Sequence, residues 1–229
     1  MLMLRQFAFL LLAVAAARAQ VVVDRMVAVV NKRVIMASQL DQEVRLQRLL
    51  EGRPPAGPKL EPQEVSFTLE QLIDRKLLEQ QILRGDMETP SPEEVSRRIN
   101  EVRSRTPGLE TEEGWKARLG ADDLTQQDVE RRISSEYSVL HYVDVRFRNL
   151  VRVDKASIAA YYQEKLLPEV RRRGAPEPAL AEVSDSIEKI LVEQRVDDML
   201  NDWLKTLRAQ AEIENMLIPP GGAGTGAHP

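Results

Sequence analysis

The chain has 229 residues, 43% hydrophobic and 30% charged, a balance that fits a globular protein and excludes both a disordered chain and a membrane bundle. Its net charge of −4 gives no drive toward phosphates, and the 4% of aromatic residues are too few for base-stacking platforms, so nucleic-acid binding is excluded as a leading role. With no cysteine, disulfides, thiolate metal sites and cysteine nucleophiles are ruled out by counting.

The chain opens MLMLRQFAFLLLAVAAARAQ. Arg5 supplies a positive start, Phe7 to Ala17 is apolar throughout, and Ala17-Arg18-Ala19 has small residues flanking a cleavage position, which predicts a secretory signal peptide over 1–19. The apolar run is shorter than the roughly 20 residues that span a bilayer, and no spanning run follows. Loss of Arg5 and Arg18 takes the formal charge from −4 to −6. The reading is an acidic, exported, periplasmic protein with no stable membrane insertion.

Val21 to Val30 predicts a strand, Asn31-Lys32-Arg33 a turn and Val34 to Met36 a short return strand. Ser38 is the expected N-cap of a helix reaching about Leu50, and the prolines and glycines of 51–62 predict a loop. A core helix is expected from about Val65 to Leu83, with Leu69, Leu72, Ile73 and Leu77 at helical spacing. Ser91-Pro92-Glu93-Glu94 opens a third helix by a capping box. A fourth spans about Glu112 to Leu119, closed by Gly120. Thr125-x-x-Asp128 opens a fifth, with Val129, Ile133, Tyr137, Leu140 and Phe147 as its apolar positions. Asp154 opens a sixth, expected to stop near Pro168; a linker through Gly174, Pro176 and Pro178 leads to a last helix from 180 to 211. A strand over 211–218 and a disordered Gly/Pro tail over 219–229 complete the chain.

At about 100° per residue, Leu180, Val183, Ile187, Ile190 and Leu191 share one face of the last helix, whereas Val196, Leu200, Trp203 and Leu207 share a face half a turn away. Either the helix packs on one neighbour in its first half and another in its second, or it breaks near Gln194. Both readings make it a bridge.

Chemistry-bearing patterns are scarce. His141 follows Ser138 by three residues, but no oxyanion hole or orienting carboxylate is recognisable beside them, which makes His141 a surface or rim residue. The acidic doublets Glu93-Glu94, Glu112-Glu113, Asp122-Asp123 and Asp197-Asp198 fit helix starts and solvated faces better than acid–base pairs. The tail's GGAGTG follows no βαβ unit, so it is no phosphate loop, and Arg171-Arg172-Arg173 reads as an exposed loop. These readings imply no enzyme, no metal and no cofactor.

Two segments carry a resemblance. DRMVAVVNKRVIMASQLDQEV resembles the opening of SurA-type periplasmic chaperones, related to PrsA and parvulin-type foldases. The ending Trp203, Leu204, Leu207, Arg208, Ala211 and Ile213 resembles that family's closing helix. The resemblance implies a mainly α chaperone domain over 20–218, six or seven helices with a small sheet pairing the N- and C-terminal strands. In the family, parvulin domains are inserted between these ends, but only the short linker lies there in this chain, so isomerase activity is not implied. The implied function is an ATP-independent holdase for unfolded exported polypeptides, outer-membrane β-barrel precursors among them. The alternative is a helical adaptor binding one folded partner. A holdase needs an exposed apolar groove with adaptable side chains. Candidates are Met36, Leu40, Met87 and Met199, with Met26 and Met216 completing the methionines that follow the signal.

Overall fold

The computed structural model describes residues 24–82 and 89–217. The expected signal segment, Met87 and the tail over 219–229 lie outside the described residues. Strands β1 (Met26–Val30) and β2 (Arg33–Met36) pair around Asn31-Lys32, whose φ angles of 50° and 68° are the left-handed pair that a two-residue hairpin turn requires. Strand β3 (Ile213–Asn215) pairs antiparallel with the other side of β1, giving the order β2-β1-β3. The expected union of the two chain ends is therefore present. Asn31 closes the seam: its N–H donates to the Glu212 carbonyl at 2.9 Å, and its Oδ1 accepts from the Glu212 N–H at 3.0 Å. β3 is shorter than the expected 211–218; just beyond it the Met216 N–H still donates to the Val27 carbonyl at 2.9 Å, and Asn215 Oδ1 accepts from the Leu217 N–H at 3.0 Å.

Helix α1 (Ala37–Leu50) corrects the expected cap. Met36, extended at φ −90° and ψ 155°, takes the cap position, and Ser38 lies in the first turn. The donors at the start of the helix find side-chain partners: Gln39 Oε1 accepts from the Met36 N–H at 3.0 Å, and Asp24 accepts both the Ser38 N–H at 3.1 Å and the Ser38 hydroxyl. Those bonds from Ser38 hold the Asp24 carboxyl below its usual range.

Helix α2 (Pro62–Ile82) starts three residues earlier than its apolar pattern suggests, with Pro62 at the first helical position, where its missing N–H costs nothing. Leu69, Leu72, Ile73 and Leu77 pack beneath β1 and β2 as expected. Helix α3 (Pro92–Arg105) has the Ser91–Glu94 capping box, and α5 (Gln126–Phe147) has the Thr125–Asp128 box. Helix α4 (Glu112–Ala121) runs through Gly120 and ends at Asp122, whose fully buried carboxylate accepts from Arg118 Nε at 2.6 Å and from the Ala56 N–H at 3.0 Å. That carboxylate fastens the Pro-rich loop to α4.

Pro168 does not end the sixth helix. Helix α6 (Lys155–Tyr161) continues through a π segment (Tyr162–Leu166) into α7 (Leu167–Arg172). A proline inside a helix removes one amide donor and crowds the preceding turn. The wider π turn just before Pro168, in which the Leu167 N–H reaches the Tyr162 carbonyl, accommodates both. Helix α8 (Leu180–Gln210) is continuous, which removes the break near Gln194 and leaves the two-faced reading. Ile187 is buried in the half that meets α6; Val196, Leu200 and Trp203 pack on α5, and Leu207 reaches the core under the sheet. Leu180 and Ile190, placed on the first face by the sequence, are instead exposed at 37% and 41%.

The result is mainly helical with a three-stranded antiparallel sheet, and most of its buried apolar residues fall into three clusters among the described residues. Glu43 ties three helices together: its carboxylate on α1 accepts from Arg75 on α2 at 2.7 Å and from Arg132 on α5 at 2.8 Å. Burial pushes this carboxyl up, but the two guanidiniums outweigh burial and hold it below its ordinary value.

Candidate functional site

Helix α5 carries an apolar stripe too wide for a single neighbour to cover. Val129 and Ile133 are buried against α1 and α3, and Val143 and Phe147 against α8, but Leu140 lies between these contacts at 58% exposure. A cleft opens on each side of it, and Leu140 lines both. The first, about 410 Å³, lies between α1, α2, α3 and α5, with Leu50, Leu78 and Val139 as its apolar wall. Its charges balance, since Glu51, Asp74 and Glu136 face Arg75, Arg98 and Arg132.

The second cleft, about 540 Å³, lies between the start of α3, the middle of α5 and the centre of α8. Its apolar lining is Tyr137, Leu140, Val143, Val196 and Leu200. Arg148 spans it, with NH1 and NH2 donating to Glu193 at 2.8 and 3.0 Å and Nε donating to Asp144. These two carboxylates raise the guanidinium's pKa further above its already high value. Glu94 and Asp197 also line the cleft. The capping bonds from Ser91 hold Glu94 below the usual carboxylate range.

His141 lies exposed at the rim of this second cleft. Ser138 does not face it, because its hydroxyl donates to the Ser134 carbonyl at 3.1 Å. No nucleophile–base pair forms there. Glu93 and Glu94 sit in the first turn of α3, and Glu112 and Glu113 in that of α4, where carboxylates favour the helix dipole. Among the described residues, no group of three or more His, Asp or Glu is placed to hold a metal ion. Arg171 is fastened to Glu177, and Arg172 and Arg173 to Glu169. The GGAGTG motif lies outside the described residues.

Of the residues singled out for client contact, Leu40 is 2% exposed and belongs to the core beneath the sheet, so it presents no surface. Met36 is half-buried at the end of β2, opposite Met26 on β1. Met199 packs against the cluster of Val143, Phe147 and Val196. None of the three lines a cleft, and they are not brought together. Tyr137, Leu140, Val196 and Leu200 were visible as apolar positions of α5 and α8, whereas Val139 and Val143 were not singled out. Methionine content did not mark them; the signal was the excess width of the α5 stripe, together with the change of face along α8.

No helix among the described residues is long and apolar enough to cross a membrane. Fold and clefts together define a helical module, closed by a small sheet, that presents open surfaces of mixed apolar and charged character. Residues 1–142, more than half of the chain, match the family model of the SurA-like N-terminal domain, and the chain belongs to that family. No curated protein matches it. Membership carries a chaperone-like role in general terms. Among the described residues, the match covers β1 into α5; the second cleft joins this part to α8, which lies beyond the match.

Proposed function

We propose that the protein is an ATP-independent holdase of the periplasm, which binds unfolded exported polypeptides, outer-membrane β-barrel precursors among them, and has no prolyl isomerase activity. The observation that carries this reading is the pair of clefts on either side of Leu140: an exposed apolar ridge with room for chain on both flanks. An unfolded chain presents isolated apolar side chains on a hydrogen-bonding backbone. The clefts offer apolar wall for the first and charged or amide side chains for the second, including Gln47 and Gln71 in the first cleft. Burial of one leucine-sized side chain is worth roughly 1.5–3 kcal/mol, so a single contact holds weakly and lets go readily. Binding unfolded but not native chain lowers the free, aggregation-prone population without an energy source. Export through the signal segment over 1–19 would place the protein among such clients.

The test is light scattering of a urea-diluted outer-membrane β-barrel protein, with and without the purified protein at near-equimolar amounts and without ATP. Suppression, absent with an inert acidic control protein, is the expected result. No suppression across several unfolded clients, together with one folded partner bound at fixed stoichiometry, would replace the holdase with an adaptor.

A further inference from the structure

The two clefts differ in charge. In the first, three carboxylates face three guanidiniums. In the second, Glu94, Asp144, Glu193 and Asp197 face Arg148, with His141 at the rim; with the histidine counted neutral, the formal surplus is three negative charges around an apolar floor. Arg148 is already engaged by Asp144 and Glu193, so its charge is spent within the cleft wall. Asp197 is exposed and enters no ion pair among the described residues, and Glu94 is hydrogen-bonded by the Ser91 cap, with Arg97 and His141 near it but not in an ion pair with it. Leu140, Val143, Val196 and Leu200 lie between these carboxylates.

Building on the chaperone reading, we infer that the second cleft selects extended polypeptide segments in which apolar residues alternate with lysine or arginine. The apolar side chains pack on Leu140, Val143 and Leu200, and the cationic side chains reach Asp197 and the carboxylates around Arg148. An acidic segment meets like charge on both walls and is rejected there; the first cleft, balanced in charge, makes no such distinction. The selection is electrostatic and carried by partly exposed groups, so it fades as salt shortens the Debye length from about 10 Å at 0.1 M to about 3 Å at 1 M.

The test uses the full chain and three fluorescently labelled peptides of one design, with leucine and tyrosine at alternate positions and lysine, serine or glutamate between them. Binding is followed by anisotropy at low and high salt. The lysine peptide should bind about tenfold more tightly than the glutamate peptide at low salt, and the ratio should approach one near 1 M. Asp197→Asn should lower the preference about threefold, and Asp197→Lys should lower it further, while Leu140→Ser should weaken all three peptides alike. Both positions are exposed, and an unchanged thermal melt establishes that the variants fold. Equal affinity for the lysine and glutamate peptides at low salt, or a preference that Asp197→Lys leaves intact, overturns the inference. If aggregation of unfolded clients is still suppressed in that case, the chaperone reading stands without it. If neither peptide binding nor suppression occurs, both fall.

Discussion

The region around the sheet and the arm formed by α6, α7 and the first half of α8 are built to different densities. Around the sheet, Ala28, Val30, Ile35 and Leu69 are all at 0% exposure, and Glu43 adds an ion-pair tie between three helices. In the arm from 155 to 195 only Ile158, Leu167 and Ile187 are buried, and the ion pairs of Arg171, Arg172 and Arg173 lie in solvent. Few buried apolar contacts mean a low free energy of local opening. One region is a rigid seat, the other a compliant wall. The first cleft is lined by α1, α2, α3 and α5 alone, whereas the second takes Glu193 from the end of the arm and Val196, Asp197 and Leu200 from the second half of α8.

The largest test of this contrast removes residues 196–218, which takes Val196, Trp203 and β3 together. The expected result is loss of the cooperative thermal transition by circular dichroism, because β1 loses a partner and α5 its apolar cover. A truncated protein that keeps the full transition would show that the seat does not need its closing elements. Next in size, Glu43→Ala takes from Arg75 its carboxylate partner and leaves Arg132 with Glu136 alone, and should cost about 3 kcal/mol in urea unfolding. Glu43→Gln sharpens the same point through pH. The carboxyl titrates below its ordinary value of 4.5 in the folded protein, so its contribution is present above that value and lost as the pH falls through the folded pKa. The variant should thus show a shallower loss of stability on the acid side of about pH 4.5.

In the arm, Ile187→Ala should cost about 2–5 kcal/mol of local stability. Hydrogen exchange should quicken across 155–195 while β1 and α2 keep their protection; uniform quickening would mean that the two regions unfold as one. Smallest in stability and most specific in function, Leu140→Ser should leave unfolding within about 0.5 kcal/mol of the parent, since the side chain is 58% exposed. It should still reduce suppression of client aggregation.

Much of this organisation was legible in the chain. The capping boxes at Ser91 and Thr125 place two helices because their chemistry is local, and the half-turn change of face along α8 foretells its change of neighbours. The failures share a cause. Ser38 lost its role as a cap to a carboxylate fourteen positions away, and Pro168 was absorbed by a π turn that no residue type announces. Leu40 reads as well for a surface as for a core until β1 and α2 close over it. The clefts were hidden for the same reason: a groove is a relation among α3, α5 and α8, and only its apolar half leaves a mark on any one of them.

The seam between Asn31 and Glu212 joins positions 181 residues apart. At a synthesis rate of roughly 5–20 residues per second, β1 and β2 exist for about 10–40 s before their third strand is made. During that interval the valine-rich β1 has one edge unpaired, the kind of edge that recruits strands from other chains. Closure between such distant positions is also slow, because loop entropy is lost before any contact is gained. In its own infancy, therefore, the protein presents the hazard it is proposed to relieve in others.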